Sequence, residues 1–390
     1  MKRAVFLLTF LSIVSISFAQ TGIQIQNGPY LQNHKETETT IVWQTNKASI
    51  GWVEIALDDG SHFYYKERPQ FYNSTNGLKN ITQTHQVNIK GLQPGTKYRY
   101  RVYSKEVIKH NGMNVSYGNT IATTVYNKKP LTFVTNDREK KETSFLMISD
   151  THEKSDELST LLKVANYQER DLIIYNGDMV NHFTNEKTLY DGFMQTTVEL
   201  FAKEKPMYYA RGNHETRGAL APAFQNYFSC GEDHLYYMFR QGPVCFIVLD
   251  SGEDKADTDI EYGGIADFDN YRTKQTDWLN NVLQSKDYKE APYKVVICHM
   301  PPTPQKGLWH GQKDILDKFV PLLNKAKIDI MLCGHLHEYL REEASQLIHF
   351  PVIINSNNTV VKAITENNTM KFEVLDMKGK IIDKLNIKVK

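Results

Sequence analysis

The chain has almost no surplus of charge. Its 46 Lys and Arg stand against 45 Asp and Glu, a net +1, and no basic tail is present. That balance gives no electrostatic reason to expect tight nucleic-acid binding, and it disfavours a duplex-binding nuclease. No internal repeat and no low-complexity tract breaks the sequence. Beyond residue 18 no stretch is apolar and long enough to span a bilayer, so no integral membrane anchor is expected. Cysteine is scarce. The four are Cys230, Cys245, Cys298 and Cys333, and none follows the first apolar run, which argues against a lipid-anchored form.

That first run is informative in its own right. Lys2 and Arg3 precede the apolar stretch Ala4–Phe18, and the small residues Ser17 and Ala19 follow the pattern of a cleavage site. The stretch reads as a secretory signal peptide, residues 1–19, cut after Ala19. A periplasmic or secreted protein is the expectation, and loss of Lys2 and Arg3 would bring its net charge to −1. In an oxidising compartment Cys230 and Cys245, which flank an aromatic hairpin-like segment, either pair or stay free. Cys298 and Cys333 read as small buried side chains rather than thiolate ligands.

The remaining length suits two domains. Residues 22–134 read as all-β. Thr39–Thr45 alternates around Ile41 and Trp43. After a Gln93-Pro94-Gly95 turn, Tyr98, Tyr100 and Val102 share one face, with Lys97, Arg99 and Arg101 on the other. This period of two predicts half-buried antiparallel strands, and the buried Trp and Tyr suggest a sandwich. Residues 135–144 are charged and lack periodicity, so they read as a linker. Residues 145–390 alternate apolar runs with helical stretches such as Asp156–Gln168 and Lys313–Lys325, the pattern of βαβ units. Met370–Leu375 and Ile381–Ile387 around Lys378-Gly379 predict a closing hairpin.

Five short blocks carry the chemistry. They are Asp150-Thr151-His152, Gly177-Asp178, Gly212-Asn213-His214-Glu215, Cys298-His299 and Gly334-His335-Leu336-His337. Each follows an apolar run that predicts a buried strand: Phe145–Ser149, Leu172–Asn176, Met207–Ala210, Lys294–Cys298 and Ile328–Cys333. Polar residues at the carboxyl ends of several strands of one sheet converge on one crevice. Two Asp, one Asn and four His exceed what one tetrahedral ion needs, and a two-metal site sharing a carboxylate accounts for the set.

The ordered set D-x-H, G-D, G-N-H-E, H, G-H-x-H resembles the calcineurin-like metallophosphoesterases over roughly residues 145–340. The N-terminal segment resembles a fibronectin type III domain, as found before the catalytic domain of purple acid phosphatases. The resemblance implies an α/β metallophosphoesterase domain, a β-sheet sandwich flanked by helices, behind the all-β sandwich. It also implies two divalent ions, Mn, Zn or Fe. One would be held by Asp150, His152, Asp178 and His337, the other by Asp178, Asn213, His299 and His335. Water acidified by both ions would attack phosphorus in line, with His214 as general acid and Glu215 holding its imidazole.

Three further residues are weaker candidates. His310 either reaches the substrate phosphate or is an ordinary exposed His. Arg211 either clamps phosphate or is structural. Asp250 closes another strand and is a candidate support for the site. The expected partner is a small-molecule phosphoester, with a phosphomonoester ahead of a phosphodiester or nucleotide. An inactive binding protein is the reading from another class. Purple acid phosphatases carry Gly where this chain has His152, and a metal-bound Tyr where it has Asn181. The two departures compensate, because His152 supplies the ligand that the Tyr would have given. Loops Ser251–Tyr271 and Met300–Gln312 are the expected carriers of specificity.

Overall fold

The computed structural model describes residues 22–65, 67–125, 128–303 and 307–389. The expected leader at residues 1–19 lies outside the described residues. None of the described helices is long and apolar enough to cross a membrane.

Strands β1 (Ile25–Gln32), β2 (Glu38–Leu57), β3 (Gln70–Tyr72), β6 (Ile81–Lys90), β7 (Lys97–Asn111), β8 (Asn114–Ala122) and β9 (Leu131–Val134) form one seven-stranded sheet. Strands β4 (Ser74–Thr75) and β5 (Leu78–Lys79) make a small ribbon. The 20-residue β2 serves two layers. Its first half pairs with β1 and β6, and its second half with β3 and β7. Ile41 and Trp43 from the first half face Val53, Tyr100 and Val102 in a buried core. Trp43 Nε1 donates to Ser104 Oγ at 2.8 Å across that core, so the indole loses no hydrogen bond on burial.

One expectation fails in this layer. The polar face of β7 is covered as well, with Arg99 8% and Arg101 2% exposed. The loop bearing Asp59, Ser61, Phe63 and Tyr64 folds over both guanidiniums. Arg99 meets Asp59 at 2.9 Å, and Arg101 lies 5.0 and 4.8 Å from the Phe63 and Tyr64 ring centres. Alternation identifies the strand but not what later packs on its polar side.

The remaining strands build two six-stranded sheets. The first contains β10 (Ser144–Ile148), β11 (Leu172–Asn176), β12 (Met207–Ala210), β19 (Thr359–Glu366), β20 (Thr369–Asp376) and β21 (Ile381–Lys388), in the order β12-β11-β10-β19-β20-β21. The second contains β13 (Tyr237–Gln241), β14 (Val244–Leu249), β15 (Tyr293–Cys298), β16 (Ile330–Cys333), β17 (Leu340–Glu342) and β18 (Val352–Ile354), in the order β13-β14-β15-β16-β18-β17. Strands β10–β12 run parallel, as do β14, β15, β16 and β18.

The two sheets pack face to face. Phe145, Met147 and Ile174 of one meet Phe246, Ile297 and Leu332 of the other. Leu146, Ile148 and Tyr175 turn outward against the helix Ser155–Val164. Val296 and Cys298 turn outward against helices Phe268–Val282 and His310–Lys318. Both faces are therefore buried, which is why these strands read as continuous apolar runs.

The helical expectations shift in detail. Asp156–Gln168 becomes Ser155–Val164 plus a short turn, Tyr167–Glu169. Lys313–Lys325 becomes His310–Lys318 and Val320–Ala326, with Pro321 in the first turn of the second helix. The C-terminal hairpin forms as expected. The charged linker is pinned at its start. Asn136 is buried, and its Nδ2 donates to Tyr208 Oη and to the carbonyls of His34 and Arg240. The sandwich docks beside it through Tyr30, which joins the core of the first sheet and donates to the Tyr227 carbonyl at 3.0 Å.

Candidate metal centre

The carboxyl ends of β10, β11, β12, β15 and β16 meet where the two sheets abut. Asn176, the last residue of β11, ties them together. Its Nδ2 donates to the Leu332 carbonyl at 3.0 Å, and its own carbonyl accepts from His299 Nδ1 at 2.7 Å. Five of the seven expected ligands then leave their strands in left-handed backbone: Asp150 (φ 60°), His152 (45°), Asp178 (54°), His335 (75°) and His337 (54°). Non-glycine residues rarely adopt this conformation, and a cluster of them marks strain held by surrounding structure. Here the holders are bonds donated by backbone N–H groups. Asp150 N–H donates to the Gly177 carbonyl at 3.0 Å, His152 N–H to the Asp178 carbonyl at 3.1 Å, and His335 N–H to Asp150 Oδ1 at 3.0 Å. Gly212 has a steric reason to be glycine, since a Cβ there would meet Asp178 Oδ1 at 2.2 Å.

The turns bring the side chains into two groups that share one member. Asp150, His152, Asp178 and His337 present donor atoms within 4.8 Å of one another, as do Asp178, His299 and His335. Asn213 joins the second group, its Oδ1 lying 3.1 Å from His335 Nδ1. The spacings fit cations. His152 Nε2 and His337 Nε2 are 3.0 Å apart. Two imidazole nitrogens at ordinary ligand distance from one ion lie about 2.9–3.4 Å apart for octahedral to tetrahedral angles. His299 Nδ1 is spent on the Asn176 carbonyl. This leaves Nε2 fully buried and facing Asp178 Oδ2 at 3.1 Å. A backbone carbonyl fixing one ring nitrogen so that the other ligates is the usual support for a metal-bound His. The residues present therefore fit two ions with mixed nitrogen and oxygen donors, a set suited to Zn, Mn or Fe.

The charges are unbalanced without cations. Burial raises Asp150 to about 7, against the pull of His299. Burial also pushes Asp178 upward, but the His299 ring and the His214 N–H outweigh it and hold the carboxyl well below its usual range. Burial lowers His152 to about 4 and His335 to about 3, and it lowers His337 too. These three imidazoles are thus neutral at pH 7, the form that ligates. His299 is the exception, because Asp178 and Asp150 overcome its burial and raise it to about 10.

One assigned role needs correction. Glu215 does not touch the His214 ring. Its buried carboxylate accepts the N–H groups of Asp178 (2.9 Å), Met179 (2.8 Å), Val180 (3.3 Å) and Gly212 (2.9 Å), and the Tyr209 hydroxyl (2.9 Å). Asn181 orients His214 instead, its carbonyl accepting from Nδ1 at 2.8 Å. His310 is not drawn into either ligand group. Its Nε2 meets both Asp269 oxygens, at 2.8 and 2.9 Å, because it begins a helix packed beside Phe268–Val282.

Arg211 pairs with the buried Asp250 at 2.9 Å, and Asp250 also accepts from the Tyr271 hydroxyl at 3.1 Å. All four cysteines are free and buried, Cys230 and Cys245 included, and burial pushes every thiol up. Residues the sequence did not single out are Asn176, Tyr209 and the Asn181 carbonyl. Asn176 and Tyr209 lie on two of the expected strands, but a backbone acceptor such as Asn181 carries no residue-type signal.

Two family models match the chain. Residues 143–339 fit the calcineurin-like phosphoesterase model, and residues 27–124 fit the model for the purple acid phosphatase N-terminal domain. Purple acid phosphatase 22 of Arabidopsis thaliana is 26% identical over 272 residues, 66% of this chain and 53% of its own length. Purple acid phosphatase 1 of Ipomoea batatas is 22% identical over 307 residues, 73% of this chain and 56% of its own. The chain thus spans about half the length of the curated relatives it matches. A purple acid phosphatase from yellow lupin (Lupinus luteus) seeds superposes with a TM-score of 0.66 at 16% identity, covering 92% of this chain and 74% of that one, a likeness of fold.

Proposed function

Since the chain belongs to the calcineurin-like phosphoesterases, we propose that it is an exported, metal-dependent hydrolase of phosphoric esters, acting first on monoesters. The observation that carries this reading is the pair of ligand groups overlapping at Asp178, with the His214 ring beside them. Residues 145–390 would form the catalytic unit, and residues 22–134 a docked sandwich. Asp150, His152, Asp178 and His337 would hold one cation, and Asp178, Asn213, His299 and His335 the other. When bound, the two cations acidify a water near neutral pH and neutralise charge on the phosphoryl oxygens.

The chain's own groups do the rest. The Asn181 carbonyl holds the His214 Nδ1–H, so a second proton on that ring sits on Nε2. Nε2 faces Asp178 Oδ2 at 3.9 Å, on the edge turned toward the ligands. It would pass that proton to the ester oxygen as the bond from phosphorus breaks. Glu215 keeps the Gly177–Val180 and Gly212 turns in register without touching substrate. No side chain need attack phosphorus, so no phospho-enzyme is expected.

The deciding experiment is steady-state hydrolysis of nitrophenyl phosphate beside the bis-nitrophenyl diester, on protein loaded with Mn(II) or Zn(II). Faster monoester turnover is expected. Faster diester turnover would make the D-x-H block a better guide than the two-domain layout, and no turnover of either would sink the hydrolase reading. His214→Ala should keep both ions and lose activity mainly on esters with poor leaving groups, by about 10²-fold or more. Equal losses on good and poor leaving groups would remove its acid role. The loaded protein should also be colourless, because Asn181 stands where a tyrosinate ligand would give visible charge transfer. A strong visible band would overturn the ligand assignment.

A further inference from the structure

A cavity of about 740 Å³ opens next to the Gly212–Glu215 block. His182, whose ring centre lies 6.1 Å from that of His214, lines it, as do Arg211 and Thr216, which flank the Gly212–Glu215 block. Tyr262, Ile265 and Phe268 form the facing wall. The volume falls in the range of about 300–1,000 Å³ that holds a small organic molecule, far more than a phosphoryl group occupies. Of the lining residues, Ile265 is 91% exposed. Its side chain is apolar area that a bound ring would cover.

The charges in this cavity are already spent. Arg211 is paired with Asp250 at 2.9 Å. Arg217 is held by Glu253 through two bonds of 2.9 Å and by Asp254 at 3.4 Å. Glu253 also accepts from the Tyr262 hydroxyl at 2.8 Å and from Thr216. Glu261 pairs with Lys255. An anionic group entering here would meet two lining carboxylates, Glu253 and Glu261, and find both arginines engaged. A neutral ring would meet Tyr262, Phe268 and Ile265 and displace water from apolar surface.

We propose that this cavity holds the leaving group of the ester, and that the preferred substrates are phosphate monoesters of uncharged, ring-bearing alcohols or phenols. The proposal rests on the phosphoester-hydrolase reading. In the reaction water forms the new bond to phosphorus, the bond to the alcohol oxygen breaks, and that oxygen leaves with one proton as the neutral alcohol. His214 is near both cavity and ligands, its Nε2 3.9 Å from Asp178 Oδ2 and its ring centre 6.1 Å from that of the lining residue His182, and in this scheme it protonates the departing oxygen. Arg211, Tyr262, Ile265 and Phe268 are specificity residues in this scheme, not catalytic ones.

The test compares 2-phenylethyl phosphate with ethyl phosphate on the metal-loaded protein. The two alcohols are similar leaving groups and differ in the ring. The expected ratio of kcat/KM is about 10–100, carried mostly by KM, the scale of burying one ring in an apolar pocket. Ala219→Trp and Ile265→Asp alter exposed lining positions whose change spares the core, and each should cut the ratio to below about 3. Calorimetry with the matching non-hydrolysable phosphonates should show the same ratio in Kd. A wild-type ratio near one, or one that neither variant changes, overturns the pocket. Failure to hydrolyse either ester, with the phosphonate ratio intact, overturns the hydrolase reading and leaves the pocket standing.

Discussion

Asp178→Asn is expected to cut phosphoester turnover by about 10³-fold or more, and to lower the bound metal from two ions per chain to one or none. Asp178 is 1% exposed and is the one residue common to both ligand groups. Its Oδ2 faces His299 Nε2 at 3.1 Å, and its Oδ1 accepts from the His214 N–H at 2.9 Å. Asparagine keeps the size and the Oδ1 acceptor. Its amide does not replace the carboxylate as the ionic partner of His299 Nε2, whose other ring nitrogen is held by the Asn176 carbonyl. The substitution therefore removes charge and leaves shape.

Stability should separate the two effects. In the metal-free protein the His299 ring and the His214 N–H hold Asp178 well below its usual range, so its charge stabilises the fold, and the relief that its removal gives to Asp150 is the smaller effect. The metal-free variant should therefore melt below metal-free wild type at neutral pH, because the buried His299 loses its ionic partner, and it should gain less stability than wild type when metal is added. Metal analysis by mass spectrometry, kcat and a pair of melting curves check this. A variant retaining two ions and a tenth of the activity would end the bridging role.

Much of this site was legible in the sequence because each ligand block ends an apolar strand. Phe145–Ser149 and its four counterparts lie within a residue or two of the observed strands, since burial on both faces leaves an uninterrupted apolar signal. Their carboxyl ends converge not from one sheet, as expected, but from two: parallel pairing aligns β10–β12 in one and β15–β16 in the other, and the sheets' packing brings both sets together. Three things were hidden. The left-handed turns at Asp150, Asp178 and His335 occur at residues that do not announce them, because neighbouring backbone imposes the conformation. The covered face of Arg99 and Arg101 depends on a loop that returns from about 40 residues away. His310 sits where a helix packs, so a residue type that suits phosphate ends on Asp269 instead. Sequence pattern reports which residues share a strand; it reports poorly which partner occupies a polar group once loops close.

Glu215 is the sharpest case, and it carries the largest expected stability effect. Glu215→Gln should destabilise the metal-free protein by about 2–4 kcal/mol, and Glu215→Ala by about 4 kcal/mol or more. Two effects compete in the glutamine variant. Burial and the nearby Asp178 push the Glu215 carboxyl up, so removing its charge brings some relief. Against this, Oε2 accepts two backbone N–H groups, from Asp178 and Gly212, and Oε1 accepts Met179 and Val180 N–H and the Tyr209 hydroxyl. A glutamine amide turned either way sets its NH2 against at least two of these donors. Each buried donor left without an acceptor costs about 1–3 kcal/mol, so the donors win. Alanine strands all five. The turns that carry Asp178 and Asn213 would loosen together, and metal affinity should fall with stability. Urea unfolding of the metal-free proteins measures the first, and a zinc titration the second. If Glu215 instead held the His214 imidazole, Glu215→Gln would leave unfolding unchanged and alter only the dependence of rate on leaving group. That outcome would return Glu215 to the catalytic apparatus and leave the Gly177–Val180 and Gly212 turns without a named support.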